Sequence, residues 1–217
     1  HSFPTRRSSD LHKRWQTGRK AVKHRRQEDI ASCGILGAGY RHFSIPDCIY
    51  RFTETEPEPG KQAAPNRIHL YDEDTFLGPI HPAEEQLIDK LVKKLNKALP
   101  DQVRLISPLA IGGHVDHRLV RKVAEKSGRE LLYFADYPYC VKEKQSLNDL
   151  EEAGWAKQVH PISSEALHAW QESIAAHASQ ISTFWSDLDE MAEAIEDFHQ
   201  HFGGGVLWES PEKTEFV

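Results

Sequence analysis

Cysteine is scarce in the 217 residues, and its three copies, Cys33, Cys48 and Cys140, are odd in number and far apart. With no Cys-x-x-Cys pair, neither a cysteine-based zinc knuckle nor a disulfide framework is indicated, and a reducing, cytoplasmic setting is the expectation. No apolar run approaches the roughly 18 residues that a membrane span requires, and no signal peptide is visible. A basic excess is lacking too: 27 Lys and Arg stand against 33 Asp and Glu, a net charge of −6. No basic stripe stands out after the first 30 residues, which argues against nucleic-acid binding as the main function. Internal repeats and a Gly-rich phosphate loop are absent. What remains, 39% hydrophobic and 28% charged residues, suits a globular chain long enough to bury a real core.

The chain opens His1-Ser2-Phe3-Pro4-Thr5-Arg6-Arg7-Ser8-Ser9-Asp10-Leu11, without an initiator methionine. That string resembles the translation, in one frame, of a widely used short-read sequencing adapter; a natural basic arm is the alternative. Residues 1–11 are therefore expected to be non-native, with one domain over 12–217 and native sequence missing upstream of Leu11.

Periodicity places the rest. Trp15 to Leu36 is compatible with a helix carrying a narrow apolar stripe of Ala21, Val22, Ile30, Ala31 and Ile35, with Gly37 as its C-cap. Tyr40 to Ile45 alternates loosely and reads as a short strand ending at Pro46-Asp47, and 53–66 is a polar, proline-rich excursion. Pro82 to Leu99 is the clearest helix, with Leu87, Ile88, Leu91, Val92 and Leu95 on one face and Pro100 as its stop. A buried strand is expected over Val103 to Leu109. A helix with Leu119, Val120, Val123 and Ala124 inward follows and ends at Gly128, and Leu131 to Ala135 is the next strand. Such alternation predicts an α/β domain in which these two strands are parallel neighbours. Ser164 to His201 is helical in pattern, and Val206-Leu207-Trp208 closes as a last strand.

Chemistry concentrates in Ser107-Pro108-Leu109-Ala110-Ile111-Gly112-Gly113-His114-Val115-Asp116-His117-Arg118. This stretch sits at the carboxyl end of a predicted strand, where open α/β sheets bind ligands. The two glycines permit a tight turn and leave space for a ligand. His114 and His117, three apart at a helix start, can point to one place, and Asp116 can hold an imidazole in one tautomer. The same spacing serves two partly exposed histidines that merely cap a helix.

Gly112-Gly113-His114-Val115-Asp116-His117-Arg118 resembles the second motif of the PIG-L/LmbE-like deacetylases. The likeness extends upstream through Arg25-Arg26-Gln27-Glu28-Asp29, Leu36-Gly37-Ala38 and Pro46-Asp47-Cys48-Ile49-Tyr50-Arg51, and downstream through Tyr133-Phe134-Ala135-Asp136-Tyr137-Pro138-Tyr139 and His177-Ala178-Ser179-Gln180. The resemblance implies a Rossmann-like, three-layer α/β domain with a mostly parallel sheet, here without its first strand and helix. It implies zinc as cofactor, held by His117 together with a histidine and an aspartate of an N-terminal His-x-Asp-Asp motif. His114 would polarise the substrate amide or protonate the leaving amine, Asp116 would orient it, and the other aspartate of the first motif would be the general base. The partner implied is an N-acetylated sugar or related small molecule.

No His-x-Asp-Asp occurs in the sequence. His81-Pro82-Ala83-Glu84-Glu85 is not a substitute, because it opens an amphipathic helix and its acids suit a first turn. The chain as it stands is therefore expected to be inactive. By the same resemblance Arg25, Asp47, Asp136 and His177 are candidate substrate contacts. For each a plainer role stands beside it: a solvated helix face for Arg25, turn residues for Asp47 and Asp136, an ordinary helical histidine for His177. Cys48 and Cys140 read as buried structural thiols. Three rival readings stay open: an inactive fragment, a sugar-binding module that has lost catalysis, and a different α/β transferase whose His pair is incidental.

Overall fold

The computed structural model describes residues 18–55, 66–72 and 74–211; the adapter-like residues 1–11 and most of the excursion over 53–66 lie outside them. In chain order the helices are α1 Gly18–Ile35, α2 Glu85–Ala98, α3 Val115–Lys126, α4 Tyr139–Lys142, α5 Lys144–Glu152, α6 Ser164–Ala175, α7 Ala178–Phe184 and α8 Leu188–Phe202. The strands are β1 Phe52–Thr55, β2 Asn66–His69, β3 Leu105–Pro108, β4 Leu131–Phe134, β5 Ala156–His160 and β6 Gly205–Glu209, with short 3-10 turns at Cys48–Tyr50 and Pro82–Glu84. None of the described helices is long and apolar enough to cross a membrane. The chain divides into two compact units, His1–Ser44 with Pro161–Gly205 and Ile45–His160 with Val206–Val217.

The first unit is helical. α1 packs on α6, and α6 packs on α7 and α8. α1 ends where expected: Ala38 N donates to Cys33 O and Gly37 N to Gly34 O, with Gly37 at φ +63°. That pair of bonds is the Schellman closure, which a left-handed glycine permits. The expected apolar stripe does not face inward, since Val22, Ile30 and Ile35 are exposed while Glu28 and Ser32 are buried. The reason is polar. Glu28 accepts from Ser179 N and Ser179 Oγ, both at 2.7 Å, so its carboxylate ties α1 to the first turn of α7. Burial opposes the charged form, but these two bonds, together with the nearby His24 and His177, outweigh it and hold the carboxyl below its ordinary range. Tyr40 to Ile45 is not a strand. His42 bonds Asp29 and Tyr40 stacks on His42, so local side-chain contacts replace a ladder.

The second unit carries the sheet. β3 and β4 are parallel neighbours in the register Leu105↔Leu131 to Pro108↔Phe134. β4 pairs antiparallel with β6 through Tyr133↔Trp208, and the strand order is β3-β4-β6-β5. The sheet is thus mixed and the class α/β. β3 lies at its edge among the described residues, which leaves Ile106 exposed although an apolar run predicted burial. α3 packs on β3 and α2. It buries Val115, Leu119, Val123 and Ala124, while Val120, expected inward, is exposed. The 3-10 turn that leads into α2 is capped by His81, whose Nδ1 accepts from Ala83 N, and opens with Pro82. The last carbonyls of α2 are covered by Arg129, which donates to Leu99 O and Asn96 O. β1 and β2 form a small antiparallel hairpin at the two ends of the excursion. Beneath the loop after β3 lies a core of Cys48, Tyr71 and Val115, with Ile49, Leu70, Phe76 and Ile80 against it.

Candidate active site

The site grows from the end of β3. Ser107 and Pro108 complete the strand, and the chain then turns through Ala110, Gly112 and Gly113, all at positive φ. Among the bonds that fix this loop are Leu109 N to Phe134 O, Arg121 Nη1 to Leu109 O, and Ile111 N to Asp136 Oδ2 at 3.0 Å. The glycines do not leave room for a ligand. A Cβ on Gly112 would stand 2.8 Å from Tyr139 Cδ1, and one on Gly113 would stand 3.0 Å from Leu77 O. Gly112→Ala is therefore expected to cost about 1–3 kcal/mol, combining a strained φ with displacement of the Tyr139 ring. Tyr139 packs edge-on to His117, with ring centroids 6.1 Å apart. Urea denaturation measures the cost, and a variant as stable as the parent would refute this account of the turn.

His114 is the N-cap of α3, its Nδ1 accepting the backbone N–H of Asp116 at 3.1 Å. Because a backbone N–H can only donate, that nitrogen carries no proton, and neutral His114 holds its proton on Nε2. Burial is the first cause of a pKa below the ordinary histidine value, opposed by the nearby Asp116 and assisted by His117. Phe76 covers one side of the ring, at 5.5 Å, and His117 lies at 5.3 Å. The capping role and a place in a site are thus compatible in this residue.

His117 projects one turn further on. Its Nδ1 lies 2.5 Å from Asp136 Oδ1, and the Asp136 side chain is fully buried. The carboxylate accepts from both the imidazole and Ile111 N, so Nδ1 bears the proton and Nε2 is left as the basic nitrogen. A carboxylate behind an imidazole is the usual device for orienting a metal-binding histidine.

Asp116 turns to other partners. Its Oδ1 lies 2.6 Å from Arg51 Nη1 and its Oδ2 accepts from Cys48 N at 3.2 Å. Arg51 also pairs with the buried Glu84, its Nε 2.5 Å from Oε1. That contact is not aligned as a hydrogen bond, so its attraction is electrostatic, while Arg51 Nη2 donates to Glu84 Oε2 at 3.4 Å. Glu84 further accepts from Tyr71 OH at 2.6 Å, and Tyr71 OH accepts from His81 N. Burial, and then the bond to Glu84, push the Tyr71 phenol up to about 12. This network pins Cys48–Arg51 and the start of α2 to the start of α3. Glu84 is a first-turn acid, as its sequence position suggested, but a buried one, and spacing along the chain singles out neither Arg51 nor Tyr71.

Asp47 precedes the Cys48–Tyr50 turn, accepts from Cys48 Sγ at 3.4 Å and lies within electrostatic reach of His114. Cys48 and Cys140 are buried free thiols. Burial, followed by Asp116 and Asp47, pushes the Cys48 thiol up to about 12. Cys48, His114 and Asp116 each offer a ligand atom, all within 4.8 Å of one another, a spacing that a metal ion can bridge. The structure thus brings His114, Asp116, His117, Asp47 and Asp136 together in the second unit. Arg25 and His177 belong to the first, where Arg25 Nη2 donates to Gln180 Oε1 at 3.3 Å and His177 stands at the N-cap position of α7, without a side-chain capping bond, within electrostatic reach of Glu28.

No protein-family profile and no curated protein matches the chain. Solved structures do. A zinc-inhibited form of teicoplanin deacetylase Orf2 superposes with a TM-score of 0.63 at 19% identity, covering 95% of this chain and 82% of that one. A deacetylase–teicoplanin complex from the teicoplanin biosynthesis pathway gives 0.61 at 18% identity, over 92% and 77% of the two chains. At such identity the likeness establishes architecture: this chain has the fold of these deacetylases.

Proposed function

We propose that the intact protein is a zinc-dependent N-deacetylase that hydrolyses the amide of an N-acetylated sugar or related small molecule. The observation that carries this reading is the pair of histidines at the end of β3, one backed by a buried carboxylate and the other held neutral by a backbone N–H. The deacetylases that share the fold, one of them in a zinc-inhibited form, support it. On this reading the sheet is the remainder of a Rossmann-like domain.

The donor chemistry suits zinc. His117, its Nδ1 engaged by Asp136, would hold the metal through Nε2. When bound, zinc supplies a water of lowered pKa and polarises the amide carbonyl. His114, neutral with its proton on Nε2, is suited to donate a hydrogen bond to the oxygen on which negative charge develops. The alternative, proton delivery to the leaving amine, suits it less, because a neutral ring whose Nδ1 is occupied has no readily lost proton. Asp116 acts through its backbone N–H on His114 and through its carboxylate on Arg51 and Cys48. Asp47 is proposed as a substrate contact beside His114. The His-x-Asp-Asp that would complete the site is not in these 217 residues.

The chain alone is expected to hold no zinc on His117 and to release no acetate. Joined to a segment that supplies the His-x-Asp-Asp motif, it should take up one zinc more than the chain alone and deacetylate, while His117→Ala in that longer chain abolishes both gains. Metal content and acetate release across the three proteins provide the check. Full zinc occupancy and undiminished turnover in the His117→Ala form would remove His117 from the site, and a completed chain that binds sugar without turnover would leave a binding module.

A further inference from the structure

We infer that Cys48, His114 and Asp116 form a second, thiophilic cation site, separate from the proposed zinc ligand His117. Three different donors, a thiol, an imidazole and a carboxylate, converge with their ligand atoms within 4.8 Å of one another. Ligands about 2.0–2.3 Å from a tetrahedral zinc stand roughly 3.3–3.8 Å apart, so side-chain adjustments of about 1 Å close the shell. The convergence is built by the fold. Cys48 and Asp116 are 68 positions apart, yet Cys48 N donates to Asp116 Oδ2, and Arg51 fixes the other carboxylate oxygen. Cys48 itself is 1% exposed, while His114 and Asp116 are partly exposed. The cluster therefore has a rigid wall and an open side.

Sulfur, nitrogen and oxygen together select a borderline-soft dication such as zinc, cobalt or cadmium over magnesium or calcium. Binding forms one sulfur–metal bond and releases the thiol proton to solvent, with no change of oxidation state. A cation here also takes His114: ligation at Nδ1 displaces the Asp116 N–H, and ligation at Nε2 removes the donor proton. Occupancy is then inhibitory, a consequence that rests on the deacetylase reading, whereas the site itself does not.

Cobalt(II) titrated into the chain as it stands is expected to give a sulfur-to-metal charge-transfer band that saturates near one equivalent. Cys48→Ser should lose the band, and Cys33→Ser and His117→Ala should keep it. Because Cys48 is buried and its variant risks misfolding, the unaltered chain loaded with cadmium-113 supplies an independent reading, its resonance falling in the range of one sulfur with nitrogen and oxygen ligands. A cadmium shift without sulfur, or a band that survives Cys48→Ser or vanishes in Cys33→Ser or His117→Ala, overturns the site. Failure of the deacetylase reading shows elsewhere, as absence of acetate release from the completed chain.

Discussion

Asp136→Ala is expected, with His117 as the proposed zinc ligand, to weaken zinc binding by the completed chain about 10- to 100-fold, the usual consequence of removing the partner behind a metal-binding histidine. The cause is specific. Asp136 accepts from His117 Nδ1 and from Ile111 N, so one carboxylate aims the imidazole and holds the loop that precedes it. Without it Nδ1 loses the partner that keeps the proton there, and the tautomer that frees Nε2 is no longer favoured. The orphaned Ile111 N–H adds a stability loss of about 1–3 kcal/mol. Nitrogen-15 shifts of His117 report the tautomer in the chain without any metal, and they separate aiming from mere destabilisation. Asp136→Asn retains one acceptor for two donors and should fall between parent and alanine. An unchanged His117 tautomer in Asp136→Ala would show that the carboxylate does not orient the ring.

Arg51→Met should cost about 3–5 kcal/mol in unfolding free energy, because it strips the cation from a carboxylate that is almost fully buried. Arg51 is 6% exposed and the Glu84 side chain 1%, so water cannot replace the lost charge. Asp116, at 29%, can recover hydration and contributes less. Glu84→Gln should be milder, since its amide oxygen still accepts from Tyr71 and Arg51. The double replacement Arg51→Met/Glu84→Met should recover part of the loss, and the double-mutant cycle measures the coupling. A cost for Arg51→Met below about 1 kcal/mol would put the pair in the class of surface salt bridges. That outcome would contradict the burial on which the expectation rests.

Local pattern was enough for much of the fold. α2 reads directly from its apolar spacing between Pro82 and Pro100, and the β3–α3–β4 alternation from Leu105 to Phe134 is legible because each segment carries its own period. Gly37 was legible as a C-cap because a left-handed residue there has one favoured chemistry. Other elements carried no such mark. β5 has no apolar alternation and follows from its place beside β6. β1 and β2 stand at the two ends of the polar excursion and are defined by pairing with each other, which composition does not show. Tyr40 to Ile45 has the alternation of a strand but no ladder, and α1 turns Glu28 inward where its isoleucines were expected.

Of the candidate site, the sequence by itself determined the adjacency of His114 and His117, because residues three apart at a helix start share a face wherever the helix lies. It also located them at the end of a strand. Only the tertiary structure decided which carboxylate serves which ring. Asp136, 19 positions from His117, takes the imidazole, while the adjacent Asp116 turns to Arg51 and Cys48. Likewise it made Glu84 a buried counter-ion and set Cys48 beside the histidines. The reason is physical: a buried carboxylate must find a donor or a cation, and which one it meets depends on how distant segments pack, a matter on which spacing along the chain is silent.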